Sequence, residues 1–247
     1  MNLILLKDSN EPHFFSKNDI RAKHIFKVLK LKEGDTFRAG IVNQMIYDCA
    51  ITRITSEGVF FALQNPKPPP PASNIILLCG LSRPNTMKRV FRESAALGVK
   101  HIYLLPTELG EKSYVSSQVL DPSKYIPLLM EGASQSYSTI LPEITLLNQF
   151  SELTKHTFES VPYKYFFHKD DNYPAAFQQA GQMKTQDDQN ILVAIGSERG
   201  WTFKEIQMFE SNGFEGLSLF SRIVRTDSAF IAAISVFLSA QESRLTN

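Results

Sequence analysis

The sequence predicts an α/β protein in which a small β-rich domain precedes a larger domain built on a parallel sheet. Three observations carry this. The stretch NPKPPPPAS, residues 65–73, cannot continue a helix or a central strand and favours an extended, semi-rigid conformation, so it divides the chain. Before it, short runs of β-branched and aromatic residues alternate with turn-prone segments. After it, apolar strand patterns alternate with helical ones, the rhythm of parallel strands joined by crossover helices. Domains are therefore expected at 1–68 and 73–247, with residues 65–73 as the linker.

In chain order, MNLILLKDSNEPHFF reads as an opening strand, since its apolar run is too short for a secretory signal and has no positive stretch ahead of it. A helix is expected at 18–31, with Ile25, Val28 and Leu29 on its apolar face and Lys23, Lys27 and Lys30 turned away. TFRAG, MIYDCAITRI and GVFFALQ complete the β-rich domain. Beyond the prolines come strand NIILLCGL, helix TMKRVFRESAALG, strand HIYLLP, a helix around PSKYIPLLMEGASQS and strand YKYFFH. The last section repeats the unit twice. NILVAIG leads to helix TFKEIQMFESN, and FEGLSLF leads to a final helix beginning near Thr226.

Composition narrows the function classes. The chain has 247 residues, 43% of them hydrophobic, and no apolar run near the roughly 20 residues a membrane helix requires. A cytoplasmic protein is expected. Cys49 and Cys79 lie in separate apolar patterns without metal-ligand spacing, so buried thiols are expected, with neither disulfide nor metal. A net charge of +1 speaks against a surface coated with nucleic acid. The distribution is uneven, however: Lys17, Arg21, Lys23, Lys27, Lys30 and Lys32 face only Asp19 before Glu33, and Arg83, Lys88, Arg89 and Arg92 face Glu93. Compensating acids follow in HKDDNY and KTQDDQ. Taken alone, the basic run is either an interaction surface or a solvated helix face.

Two late loops concentrate functional groups. In LVAIGSERGWTFKE, Gly196 and Gly200 bracket Ser197, Glu198 and Arg199, and Thr202 with Glu205 forms a capping box that starts a helix. The loop lacks the Lys-Ser/Thr of a phosphate-cradling P-loop and the GxGxxG of a dinucleotide fingerprint, which disfavours ATP and NAD. It reads either as a ligand loop or as a plain strand-to-helix turn. In SLFSRIVRTDSAF, Arg222, Arg225 and Asp227 gather where an apolar strand gives way to an apolar helix. Carboxyl ends of parallel strands form ligand crevices. Two arginines there can hold an anion, or an Arg–Asp pair can pin the last helix.

Together these stretches resemble the RsmE family of the SPOUT superfamily, ribosomal RNA methyltransferases that form 3-methyluridine in 16S rRNA. IGSERGWTFKE is similar to the family's IGPEGG and following helix-starting glutamate, and LFSRIVRTDSA to LGxRILRxETA. HIFKVLKLKEGD is similar to HLxxVLRLxxGD, and RPNTMKRVFRESAALGVKHIYLL, EKSY and EGASQS extend the likeness over nearly the whole chain. The resemblance implies a SPOUT-type parallel sheet with a deep trefoil knot and an N-terminal PUA-like RNA-binding β-barrel. It implies S-adenosylmethionine as methyl donor, 16S rRNA or the small ribosomal subunit as partner, a homodimer, and no metal.

Matched by position, His168, Gly196, Glu198, Gly200, Leu219, Arg222, Ile223 and Val224 are the expected cofactor residues. Arg225, Glu198 and Asp227 are the expected catalytic ones: Arg225 would stabilise a developing uracil anion, with Glu198 or Asp227 as acid–base groups. The basic face at Arg21, Lys23, Lys27, Lys30 and Lys32 is expected to track RNA phosphates. Four departures stand out: Ser197 for proline, Arg199 and Phe220 for glycines, and Asp227 for glutamate. Arg199 and Phe220 place side chains where the family leaves room. The competing readings are a SPOUT enzyme acting on another RNA nucleotide and an RNA-binding protein with weakened catalysis.

Overall fold

The computed structural model describes residues 3–152, 158, 161–170, 172–183 and 189–245. Residues 184–188 of the acidic stretch KTQDDQ, and Asp171 of HKDDNY, lie outside the described residues. The chain divides into two compact units, one of residues 1–71 with 130–141, the other of 72–129 with 142–247.

The first unit is a curled five-stranded sheet in the order β1-β3-β4-β5-β2, comprising β1 (Ile4–Leu6), β2 (Phe14–Ser16), β3 (Thr36–Ile41), β4 (Ile46–Ile54) and β5 (Gly58–Lys67). β1 runs parallel to β3, and the other pairs are antiparallel. Register shifts between Ile46 and Asp48, and between Ile51 and Arg53, mark bulges, which sharpen the local twist of a sheet. Phe15, Ile25, Phe37, Cys49, Ile51, Val59 and Phe61 fill the core. The segment 130–141 belongs to this unit through backbone bonds: Leu3 N–H donates to Ser134 O at 3.2 Å and Asn43 N–H to Thr139 O at 2.8 Å. β5 continues through Asn65 and Pro66 to Lys67 before the proline run.

The helix expected at 18–31 is present in altered form. Asp19 caps α1 (Ile20–Lys23), which passes directly into a π-helical segment, His24–Leu29, closed by Lys30 at φ 55°. The wider π turn changes which residues point inward. Ala22 and Ile25 are buried, whereas Val28 is 65% exposed and Leu29 42% exposed, so only Ile25 of the three expected apolar contacts reaches the core.

The second unit is a six-stranded, wholly parallel sheet in the order β11-β9-β10-β6-β7-β8. Its strands are β6 (Ile75–Gly80), β7 (His101–Leu105), β8 (Glu143–Leu146), β9 (Tyr163–Phe167), β10 (Ile191–Ile195) and β11 (Glu215–Leu217). Its helices are α2 (Pro84–Ala96), α3 (Pro122–Gln135, whose last residues fall in the first unit), α4 (Ala176–Gln182), α5 (Phe203–Ser211) and α6 (Thr226–Leu245). β6 and β10 are buried along their full lengths, which explains their uninterrupted apolar sequences. One face packs Ile76, Leu78, Phe166, Leu192 and Ala194 against Trp201, Ile206 and Phe209. Phe230, Ala233, Ile234 and Phe237 of α6 are also buried, and the Phe237 ring stacks on Tyr165 with centroids 5.0 Å apart. The short strand β8 and helix α4 escaped the sequence pattern.

The strand order creates the site. From β6 the chain proceeds outward through β7 and β8, then returns to the other side, where β10 inserts between β9 and β6. Loops leaving the carboxyl ends of β9, β10 and β11 therefore emerge side by side, at the end of the sheet where open parallel sheets bind ligands.

Candidate functional site

The turn after β10 is built for close packing. Gly200 N–H donates to Ser197 O at 2.9 Å, and the two residues form a β-bridge. A Cβ on Gly196 would stand 2.9 Å from Gly200 Cα, and Gly200 itself has φ +73°, a left-handed conformation that costs other residues strain. The tip of β6 crosses just as closely, because a Cβ on Gly80 would lie 2.5 Å from Ser197 N. Thr107, beyond β7, donates its hydroxyl to Ser197 Oγ at 2.9 Å. Three strand ends thus meet on one turn.

Glu198 ties the turn to α2. Its Oε1 accepts the Arg83 backbone N–H at 3.0 Å and lies 3.7 Å from Arg83 Nε and 3.5 Å from Thr86 Oγ1. The capping box expected from Thr202 and Glu205 is present at the start of α5. Glu205, only 1% exposed, accepts from the backbone N–H of Thr202 at 2.7 Å and of Glu108 at 2.9 Å, so its burial is compensated. Nearby, burial pushes the Cys79 thiol up to about 12, as it does for Cys49 in the first unit.

Opposite this turn runs the segment between β11 and α6. Together they border a cleft of about 350 Å³ at the carboxyl ends of β9 and β10. All eight residues expected to hold a cofactor line it: His168, Gly196, Glu198, Gly200, Leu219, Arg222, Ile223 and Val224. Ile223 is 88% exposed and Val224 37% exposed, an apolar wall open to a flat aromatic ligand. Phe220, 47% exposed, lines the same cleft. Arg199 lines the cleft as well, its guanidinium paired with Glu111 at 3.1 Å.

Arg225 and Asp227 stand beside the cleft rather than on its wall. Arg225 O accepts the first backbone bonds of α6, from Ser228 at 2.9 Å and Ala229 at 2.8 Å. Asp227, 2% exposed, lies between two guanidinium groups: Arg225 Nε at 3.5 Å from Oδ1, and Arg89 Nη1 hydrogen-bonded to Oδ2. Of the two sequence alternatives, the Arg–Asp pair at the start of the last helix is therefore present. Both candidate acid–base carboxylates already hold structural partners; sequence reasoning offered the Arg–Asp pair but missed the part played by Gly80, Arg83, Thr86, Arg89 and Thr107. RPNTMKR held the signal, because a basic run directly after a strand belongs at the crevice end of the sheet.

The basic face of the first unit is smaller than expected. Lys23, Lys27, Lys30 and Lys32 are exposed. Arg21 instead turns inward: it pairs with Glu11 at 2.6 Å and Asp19 at 2.7 Å, donates to Leu5 O at 3.1 Å and stacks 4.1 Å over the Phe15 ring. The flanking acids and the apolar ring draw it away from solvent. Among the described residues no cluster of metal-ligating side chains occurs, and no helix is long and apolar enough to cross a membrane.

Comparison with known proteins follows the same division. The sequence pattern of the RNA methyltransferase domain matches residues 68–238, and that of the RNA methyltransferase PUA domain matches residues 18–64. A Borreliella burgdorferi protein, ribosomal RNA small subunit methyltransferase E 1, is 31% identical over 238 residues, covering 94% of this chain and 95% of its own. The Treponema pallidum ribosomal RNA small subunit methyltransferase E is 30% identical, covering 97% and 91%. Among solved structures, the Neisseria gonorrhoeae ribosomal RNA small subunit methyltransferase E bound to S-adenosyl methionine superposes with a TM-score of 0.71 at 18% identity, covering 97% of each chain.

Proposed function

Because the chain belongs to the ribosomal RNA small subunit methyltransferase E family of RNA methyltransferases, we propose that it transfers a methyl group from S-adenosylmethionine to N3 of one uridine in 16S rRNA. The observation that carries this reading is the convergence of the 196–200 turn and the 219–224 segment on one cleft.

The residues present fit the methyl donor. The glycine turn, which a Cβ at Gly196 would disrupt, offers backbone groups at close range, and Ile223 and Val224 offer an apolar surface to adenine. When bound, the sulfonium supplies an electrophilic methyl for in-line displacement. The chain's contribution is to orient and to manage charge. Neutral uridine N3 has its lone pair delocalised into two carbonyls, so the acceptor must lose a proton as it reacts. Arg225, 67% exposed, stabilises the resulting anion. Glu198 takes the proton; its side chain is 32% exposed beside the cleft, whereas that of Asp227 is 3% exposed and engaged by arginines.

The exposed lysines 23, 27, 30 and 32 give the first unit an RNA-tracking face, whose affinity falls as salt rises. The reading includes a cytoplasmic protein that works where ribosomes are assembled. It also includes a threaded C-terminal segment, supported by the insertion of β10 between strands from earlier in the chain. Homodimerisation is supported by the groove between α4 and α6, where Phe177 is 81% exposed beside Val236. The deciding experiment is mass spectrometry of 16S rRNA nucleosides from cells lacking the protein. Loss of 3-methyluridine, restored on complementation, is expected; its persistence, or loss of a different modification, rejects the assignment.

A further inference from the structure

The cluster around Asp227 contains a cation that the reaction described above does not use. Two guanidinium groups share one carboxylate, leaving an excess positive charge beside the cleft wall formed by Val224, Thr226 and Ala229. Arg89 projects from α2, yet its partner lies 138 positions away in sequence. Its side chain is 53% exposed although it is tethered to a carboxylate that is 3% exposed. Of the five N–H donors of a guanidinium, one is directed at Asp227 Oδ2, so the tether fixes one corner of a group that stays half exposed.

We propose that Arg89 binds a phosphodiester of the target RNA strand next to the methyl-transfer cleft, with Asp227 holding Arg89 and Arg225 in fixed register. This rests on the RNA methyltransferase reading of the same site. A nucleotide whose base enters beside Arg225 carries its own backbone phosphate on the outer side, and the planar fork of a guanidinium matches two phosphate oxygens. Asp227 is a positioning residue in this arrangement. Its carboxylate keeps the cations from spreading apart, and the two guanidinium groups on it outweigh its single negative charge toward the strand.

The test is RNA binding by full-length protein with a 16S rRNA transcript as probe, measured across a salt series, with S-adenosylmethionine binding followed separately by calorimetry. For Arg89→Ala, RNA affinity at low salt is expected to fall at least fivefold and the slope of log affinity against log salt to drop by about one, while cofactor affinity holds. Arg89→Lys, which keeps the charge but not the fork, should recover part of the affinity and the full slope. Because Arg89→Ala leaves a buried carboxylate short of a partner, the double variant Arg89→Ala/Asp227→Asn supplies a folded comparison and should bind RNA no better than the single one. Wild-type affinity and slope in the double variant would mean that Arg89 serves only to neutralise Asp227, which overturns the proposal. A wild-type protein that binds neither the transcript nor the small ribosomal subunit even at low salt overturns the functional reading itself, and this inference with it.

Discussion

Glu198 accepts the backbone N–H of Arg83 at 3.0 Å across 115 positions of sequence, joining the turn after β10 to the first residue before α2. This bond bridges the two central strands of the parallel sheet at their carboxyl ends. Under the proposed mechanism the carboxylate has two separable jobs, closing this turn and taking a proton. Glu198→Gln keeps an acceptor for Arg83 but removes the basic oxygen, so cofactor affinity should stay within about twofold while methyl transfer falls on the order of 10²-fold or more. Single-turnover rates beside calorimetric Kd values check this. An unchanged rate eliminates Glu198 as the proton acceptor.

Cofactor binding should depend on the glycine turn more than overall stability does. A methyl group on Gly196 has nowhere to go, standing 2.9 Å from the backbone of Gly200. Gly196→Ala should weaken S-adenosylmethionine binding at least tenfold, about 1.4 kcal/mol. Ile223→Ser should also lower cofactor affinity, yet leave the melting temperature of the free protein unchanged, since this side chain is 88% exposed and little contact is lost. Equal cofactor affinity in both variants and wild type removes the cleft as the cofactor site.

Arg225 should matter to transfer and little to cofactor binding. Its guanidinium lies off the cleft wall, held 3.5 Å from Asp227. Arg225→Ala is expected to lower the single-turnover rate by about 10²–10³-fold, the range seen when one preorganised donor to a developing anion is removed. Full activity in that variant contradicts the assigned role.

The basic run of the first unit should separate into one structural residue and several binding ones. Arg21 is fastened by Glu11, Asp19, Leu5 O and the Phe15 ring, so Arg21→Ala should cost about 2 kcal/mol in thermal or chemical denaturation. Lys27→Ala should cost almost no stability but reduce RNA affinity and its salt slope. Reversed outcomes would exchange the two roles.

The same cluster sets a pH dependence. Burial pushes the Asp19 carboxyl up, but the Arg21 hydrogen bonds outweigh it and hold the group below its usual range. A depressed folded value stabilises the fold above the unfolded value near 3.8 and loses that contribution as pH falls through the folded value. Asp19→Asn should therefore flatten the acid limb of stability below about pH 4, visible in denaturation midpoints against pH. An acid limb identical to wild type refutes this coupling.

Much of the fold was legible because its signals are local. The apolar runs of β6 and β10, the alternation of strands and helices, and the Thr202–Glu205 cap depend on neighbours a few residues away. Residue-by-residue resemblance then picked out both walls of the cleft. Local signals failed at 24–29, where a π turn replaced the expected helical period and left Val28 and Leu29 facing outward. They also failed at β8, whose four residues are too few to display a period.

The sequence by itself determined which longer segments become strands, which glycines the late turn needs, and which loops carry polar groups at the carboxyl end of a parallel sheet. Only the tertiary structure decided which of those groups meet: Glu198 with Arg83, Asp227 with both Arg89 and Arg225, and Arg21 with the acids that draw it inward. The physical reason is that strand order is a long-range property. Inserting β10 between β9 and β6 brings α2 and the last helix together across 138 positions, and no periodicity in the chain encodes that distance.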